Sequence, residues 1–142
     1  MIYTTATKKA LKLCFEAHEA QVDKSGMPYV FHPFHLAEQM QDEVTTIVAL
    51  LHDVVEDTDY TLEDLKKEGF GDAVIDALAL LTHDDDTPYM DYVAKIKENP
   101  IAKAVKLADL AHNSDLSRMD AVDERAMERN RKYKAAIALL EG

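Results

Sequence analysis

The sequence predicts an all-α fold, a compact bundle of about seven to eight helices forming one domain over residues 1–142. Three observations carry that expectation. Apolar residues recur at helical spacing in almost every segment, N-cap residues punctuate the chain, and nowhere does a turn signal join two alternating runs as a β-hairpin requires. The length suits one domain of ordinary size, and Gly and Pro at four each leave no room for a low-complexity class.

Taken in order, Thr5 to Gln21 sets Leu11, Phe15 and His18 at helical spacing among lysines and glutamates, and ends before Ser25-Gly26. Lys24 to Tyr29 reads as a loop. Pro33 suits the first turn of a helix running towards Gln41, with His32 at its start. Thr45 to Asp57 reads as one buried helix, Thr61 with Asp64 caps another ending near Gly69, and a further helix spans Gly71 to Leu81. Thr87-Pro88 and Asn99-Pro100 each place an N-cap residue before a proline at the first helical position, the second helix reaching about Asp115. Asp123 to Leu140 closes the chain, with Met127, Tyr133, Ile137 and Leu140 among charges.

Composition narrows the function. With 27 acidic against 16 basic residues the formal charge is −11, which disfavours nucleic acid and anionic membrane surfaces as partners. The longest apolar run, Ile47 to Leu51, falls far short of the roughly 20 residues of a membrane span, and the N-terminus lacks a signal-peptide pattern. Cys14 is the only cysteine, so neither an intrachain disulfide nor a cysteine metal cluster can form, and the cytoplasm is the expected compartment. The oligomeric state, homo-oligomer included, stays open.

Two clusters carry chemistry. At about 100° per residue, a continuous helix through LLHDVVEDT puts His52, Asp53, Glu56 and Asp57 on one broad face, opposite Ile47, Leu51, Val54 and Val55. Carboxylates so close repel unless a proton or cation intervenes, and a divalent metal is the natural cation. A solvated helix face is the commoner reason for a run of charges, but these follow an apolar run with no turn between, so they lie at the core edge, where polar groups need partners. On the Pro100 to Asp115 helix, Lys106, Asp109 and Asn113 share a narrow face among apolar residues. Alone, Asp109 reads as a buried salt bridge with Lys106. If His32, His52, Asp53 and Asp109 converge, two imidazoles and two carboxylates make a mixed N/O set that suits Mn, Fe or Zn better than Ca or Mg.

The order His32, His52-Asp53, Asp109 resembles the HD-domain metal-dependent phosphohydrolases. KSGMPYVFHP, ALLHDVVEDT, Phe70-Gly71 and VKLADLAHN are similar to the hydrolase domain of the RelA/SpoT family over roughly residues 5–140, in the stand-alone small alarmone hydrolase format. That family removes the 3′-pyrophosphate of ppGpp and pppGpp, leaving GDP or GTP. The resemblance implies an HD-domain helical bundle, Mn²⁺ held by His32, His52, Asp53 and Asp109, the acidic pair Glu56 and Asp57 as catalytic residues, and Asn113 as a substrate contact. Lys24, Lys106 and Tyr133 are the further groups best suited to a phosphorylated nucleotide.

Three positions depart from the family. Asp23 stands where an arginine stacks on guanine, Asp115 replaces a second arginine, and His83 occupies the place of a lysine. An acid in place of a stacking cation weakens recognition of a heavily phosphorylated purine. A different phosphorylated nucleotide or nucleotide cofactor is therefore the alternative substrate, and a non-catalytic nucleotide-binding module the more distant reading.

Overall fold

The computed structural model describes residues 1–142 and is helical throughout. Nine α-helices follow one another: α1 (Thr5–Ala17), α2 (Phe31–Glu38), α3 (Glu43–Leu51), α4 (Val54–Asp57), α5 (Leu62–Lys67), α6 (Asp72–Leu81), α7 (Tyr89–Ile96), α8 (Pro100–Asn113) and α9 (Glu124–Glu141). A 3₁₀ turn, Leu116–Arg118, separates the last two. No helix is long and apolar enough to cross a membrane.

The core is organised around α3, whose residues from Thr45 to Leu51 are all buried and which packs against α1, α2, α6 and α8. Asp42 caps it, its carboxylate accepting the Thr45 N–H at 2.8 Å. Asn99 caps α8 through the N–H groups of Ile101 and Ala102, with Pro100 in the first turn, as the Asn-Pro pair predicts.

Four expectations need correction. The helix foreseen over Thr45 to Asp57 is two helices, broken at His52 and Asp53. At the break neither the His52 nor the Asp53 N–H continues the α3 ladder, and the Ala49 carbonyl accepts the His52 Nδ1–H at 2.7 Å. Pro88 precedes α7 as its N-cap with φ −54° and ψ 143°, an extended conformation, so Thr87 caps nothing. On α1 the buried stripe is Thr7, Ala10, Leu13 and Cys14, whereas Phe15 is 57% exposed. On α9, Ala126, Asn130, Ala136 and Leu140 are buried while Met127 is exposed, because small residues let this helix approach its neighbours closely.

Candidate metal centre

Three of the four predicted ligands, His32, His52 and Asp109, converge on one point, and Asp53 adjoins them through His52. His32 sits in the first turn of α2 and is buried; its Nε2 lies 2.8 Å from Asp109 Oδ1 on α8. His52 Nε2 lies 3.5 Å from the same oxygen and 3.0 Å from Asp53 Oδ2. The donor atoms of His32, His52 and Asp109 all fall within 4.8 Å of one another, and Asp53 links them to a second group of the same span, Asp53, Glu56 and Asp57.

Each ligand is steadied by a second contact. The Ala49 carbonyl takes the His52 Nδ1–H, Tyr29 donates its hydroxyl to Asp53 Oδ2, and His112 Nδ1 lies 2.7 Å from His32 Nδ1. Asp109 accepts from Lys106 Nζ at 2.9 Å through Oδ2 and from Asn113 Nδ2 at 3.0 Å through Oδ1. Metal-ligating histidines and carboxylates characteristically carry such outer partners.

The donor set fits a divalent cation. With its proton on Nδ1, His52 turns the Nε2 lone pair towards two carboxylates, and that nitrogen is fully buried with no hydrogen-bond partner. A lone pair facing two anions is repulsive until a positive charge stands between them. Without a metal that charge is a proton. Burial alone would depress the His52 imidazole, but Asp53 and Asp109 override it and hold it well above its ordinary value. Burial conversely favours neutral Asp109, yet Lys106 and the two histidines keep it well below the usual carboxylate range. Asp53 is also lowered, the His52 charge outweighing its burial.

Glu56 and Asp57 stand beside Asp53, as the spacing predicts. Burial raises the Glu56 carboxyl against the opposing His83 N–H, which donates to Oε1 at 2.7 Å; burial and the Asp53 charge raise Asp57. On the other side of His32 opens a cleft of about 280 Å³, near the lower end for small-molecule sites. Lys24, Asn113 and Tyr133 line it, with Tyr29, Arg118 and Arg129. Lys106 and His83 do not. The Lys106 ammonium is engaged by Asp109 and lies over the Tyr92 ring, and the His83 ring stacks on Tyr92 with Nε2 2.7 Å from the Thr87 carbonyl.

Sequence reasoning missed Tyr29, His112 and Arg118. Tyr29 lies three residues before His32, and His112 directly precedes Asn113, so both fell inside recognised motifs without a role. Arg118 gave no signal, because only the fold closes the 3₁₀ turn against the loop: its guanidinium lies 3.6 Å from Asp23 and donates to the His112 carbonyl at 2.9 Å. Burial, with Arg118 beside it, pushes the His112 imidazole down to about 4.

An all-helical bundle that gathers two imidazoles and a carboxylate at its centre, with a second acidic group beside them, defines a helical domain with a candidate metal site. The HD domain profile matches residues 10–137, and the chain belongs to that family. It is 34% identical over 118 residues to guanosine-3′,5′-bis(diphosphate) 3′-pyrophosphohydrolase of Aquifex aeolicus, covering 75% of this chain and 17% of that protein. Over 121 residues it is 34% identical to the bifunctional (p)ppGpp synthase/hydrolase SpoT of Escherichia coli, covering 75% and 17%, and over 119 residues 34% identical to a probable GTP pyrophosphokinase of Mycobacterium leprae, covering 75% and 15%. The chain thus spans between 15% and 17% of the length of these curated relatives. A solved structure described as a metazoan ortholog of SpoT that hydrolyzes ppGpp superposes with a TM-score of 0.78 at 26% identity, covering 100% of this chain and 89% of that one.

Proposed function

We propose that this protein is a metal-dependent phosphohydrolase that removes the 3′-pyrophosphate of ppGpp and pppGpp, giving GDP or GTP and pyrophosphate. The observation that carries it is the meeting of His32, His52 and Asp109, joined by Asp53 to Glu56 and Asp57, beside a cleft that His32, Lys24, Arg118 and Arg129 line. The names of the relatives and of the matched structure support the same reading.

His32, His52, Asp53 and Asp109 would hold the ion, with Mn²⁺ the proposed metal. Such an ion polarises a phosphoryl oxygen and acidifies a coordinated water. Glu56 is fixed by the His83 N–H through one oxygen, which leaves the other free to orient the attacking water and take its proton. In the metal-free site, burial and the neighbouring Asp53 charge raise the proton affinity of Glu56 and Asp57. Water adds to the phosphorus attached to the ribose 3′ oxygen, the bond between that phosphorus and that oxygen breaks, the proton taken by Glu56 returns to the 3′ oxygen as the hydroxyl of GDP or GTP, and pyrophosphate is released. Lys24, Asn113 and Tyr133 would contact the nucleotide, and the cytoplasm is the proposed compartment.

The alternative substrate, another phosphorylated nucleotide or nucleotide cofactor, is favoured by one observation: Asp23 lines the cleft and pairs with Arg118. The test is hydrolysis by metal-stripped protein with and without Mn²⁺ on ppGpp and a nucleotide panel. Mn²⁺-dependent pyrophosphate release from ppGpp, lost in Asp53→Ala with the metal and in Glu56→Ala with metal retained, is the expected result. Inert ppGpp beside turnover of another nucleotide would transfer the proposal to that substrate. Full activity in both variants would overturn the assignment of the site.

A further inference from the structure

The two histidine ligands present Nε2 to the centre, and each must therefore carry its proton on Nδ1 when a metal is bound. His52 meets that condition with a backbone carbonyl. His32 has no carbonyl at its Nδ1. The atom facing it is Nδ1 of His112, 2.7 Å away, and the two rings are parallel to within 5° with centroids 5.0 Å apart. Parallel rings with centroids so distant and nitrogens so close meet edge to edge in one plane. This is the geometry of an in-plane N–H···N hydrogen bond, in which one nitrogen donates and the other must be bare.

We propose that His112 is the positioning residue of the metal centre: its bare Nδ1 accepts the His32 Nδ1–H, fixing the tautomer and ring orientation that turn His32 Nε2 to the ion. The direction of the bond follows from the ligand's needs. A metal on His32 Nε2 leaves only Nδ1 for the proton, so His112 carries its own on Nε2. Its place is held from both sides. Arg118 donates to the His112 carbonyl at 2.9 Å, and the exposed His35 ring packs on the His112 ring at 4.2 Å between centroids. His112 is half-buried and touches no other ligand, so its effect on the ion passes through His32 alone. The inference rests on the divalent-metal reading of the site and is independent of which nucleotide is cleaved.

Three proteins test it: wild type, His112→Ala and His112→Asn. Asparagine places an acceptor oxygen near the position of Nδ1 and so keeps the bond that alanine removes. Dissociation constants for Mn²⁺ and Zn²⁺ are measured by competition with a chelating indicator, and chelator-treated samples are melted to confirm that each variant is folded. The expected result is affinity about 10- to 100-fold weaker in His112→Ala, with most of it restored in His112→Asn. In the Zn²⁺-loaded wild type, long-range ¹H–¹⁵N spectra of the imidazoles should show His32 protonated at Nδ1 and His112 at Nε2. Equal metal affinity in the alanine variant, no recovery with asparagine, or a His32 ring bound through Nδ1 would each overturn the proposal. Wild-type protein that binds neither ion would overturn the metal reading with it. Wild-type protein that binds metal yet leaves ppGpp intact would overturn only the substrate, and the affinities would still decide the role of His112.

Discussion

Replacing Lys106 by methionine keeps the length of the side chain and removes a charge from the one place where the apo centre holds a built-in cation. Lys106 Nζ is 2.9 Å from Asp109 Oδ2, and the two side chains are 13% and 8% exposed. At that distance and an effective dielectric of about 20, the attraction is about 6 kcal/mol before desolvation is counted. Breaking a buried pair by deleting one partner costs about 3–5 kcal/mol, because the survivor keeps its charge without its solvent. The aliphatic stem of methionine still packs against Tyr92, so most of the loss is electrostatic. For a chain of 142 residues the unfolding entropy converts this to a fall in Tm of about 10–17 °C.

The same reasoning sets the sign in the presence of metal. A divalent ion on Asp109 supplies the positive charge that methionine withholds, so the variant should lose less stability when loaded than when stripped. By the thermodynamic cycle, that difference appears as tighter metal binding in the variant, tenfold for every 1.4 kcal/mol or so. Calorimetric melts in chelator and in excess Mn²⁺ measure both arms. A drop in chelator below about 3 °C, under 1 kcal/mol on the same conversion, would refute the reasoning. So would an equal drop in both conditions. Lys106 would then be free to serve substrate phosphate, the role its sequence position suggests.

Three further outcomes follow from the site. Tyr29→Phe removes the donor to Asp53 Oδ2 and should weaken metal binding by about tenfold, read by the same indicator competition, with the fold intact in circular dichroism. In metal-free protein, Glu56 and Asp57 bind protons more tightly folded than unfolded, so stability is lost as pH rises through their raised range. The Glu56→Gln/Asp57→Asn double variant should therefore melt above wild type at neutral pH in chelator, and the gap should close below the ordinary carboxylate range; a wider gap at low pH would contradict the sign. Arg118→Ala unfastens the Asp23 pair and the cleft wall, so it should raise KM for the nucleotide that the wild type hydrolyses severalfold; unchanged KM in steady-state assays would count against a role for Arg118 in the cleft.

Most of the bundle was legible because helix starts are written locally. Asn99-Pro100, Asp123 and Thr61 with Asp64 each cap a helix within a few residues of where the pattern placed it. What misled were contacts that periodicity does not encode. Phe15 matches the helical stripe, yet the neighbouring helices close on Ala10 and Cys14, a choice made by packing partners distant in the chain. The four candidate ligands were read as a set from the motif resemblance, with the need of two clusters for a common cation beside it. Lys24, Asn113 and Tyr133 do share a cleft, but Asn113 also holds Asp109, and the Lys106 charge is already engaged there. Tyr29 and His112 act through other side chains, and such second contacts have no fixed spacing to read.

The break at His52-Asp53 shows why the most informative part of the sequence also produced the main error. In an unbroken helix, consecutive side chains diverge by about 100°, so His52 and Asp53 would share only a broad face. Here Asp53 Oδ2 is 3.0 Å from His52 Nε2. By donating Nδ1–H to the Ala49 carbonyl where α3 ends, the imidazole keeps Nε2 bare for a ligand. The tautomer of His52 is thus set by a backbone carbonyl. At His32 the equivalent choice depends on a side chain from another helix. Substitutions around α8, at His112 or at Arg118 beneath it, should therefore loosen the His32 side of the centre while the His52-Asp53 side stays in place.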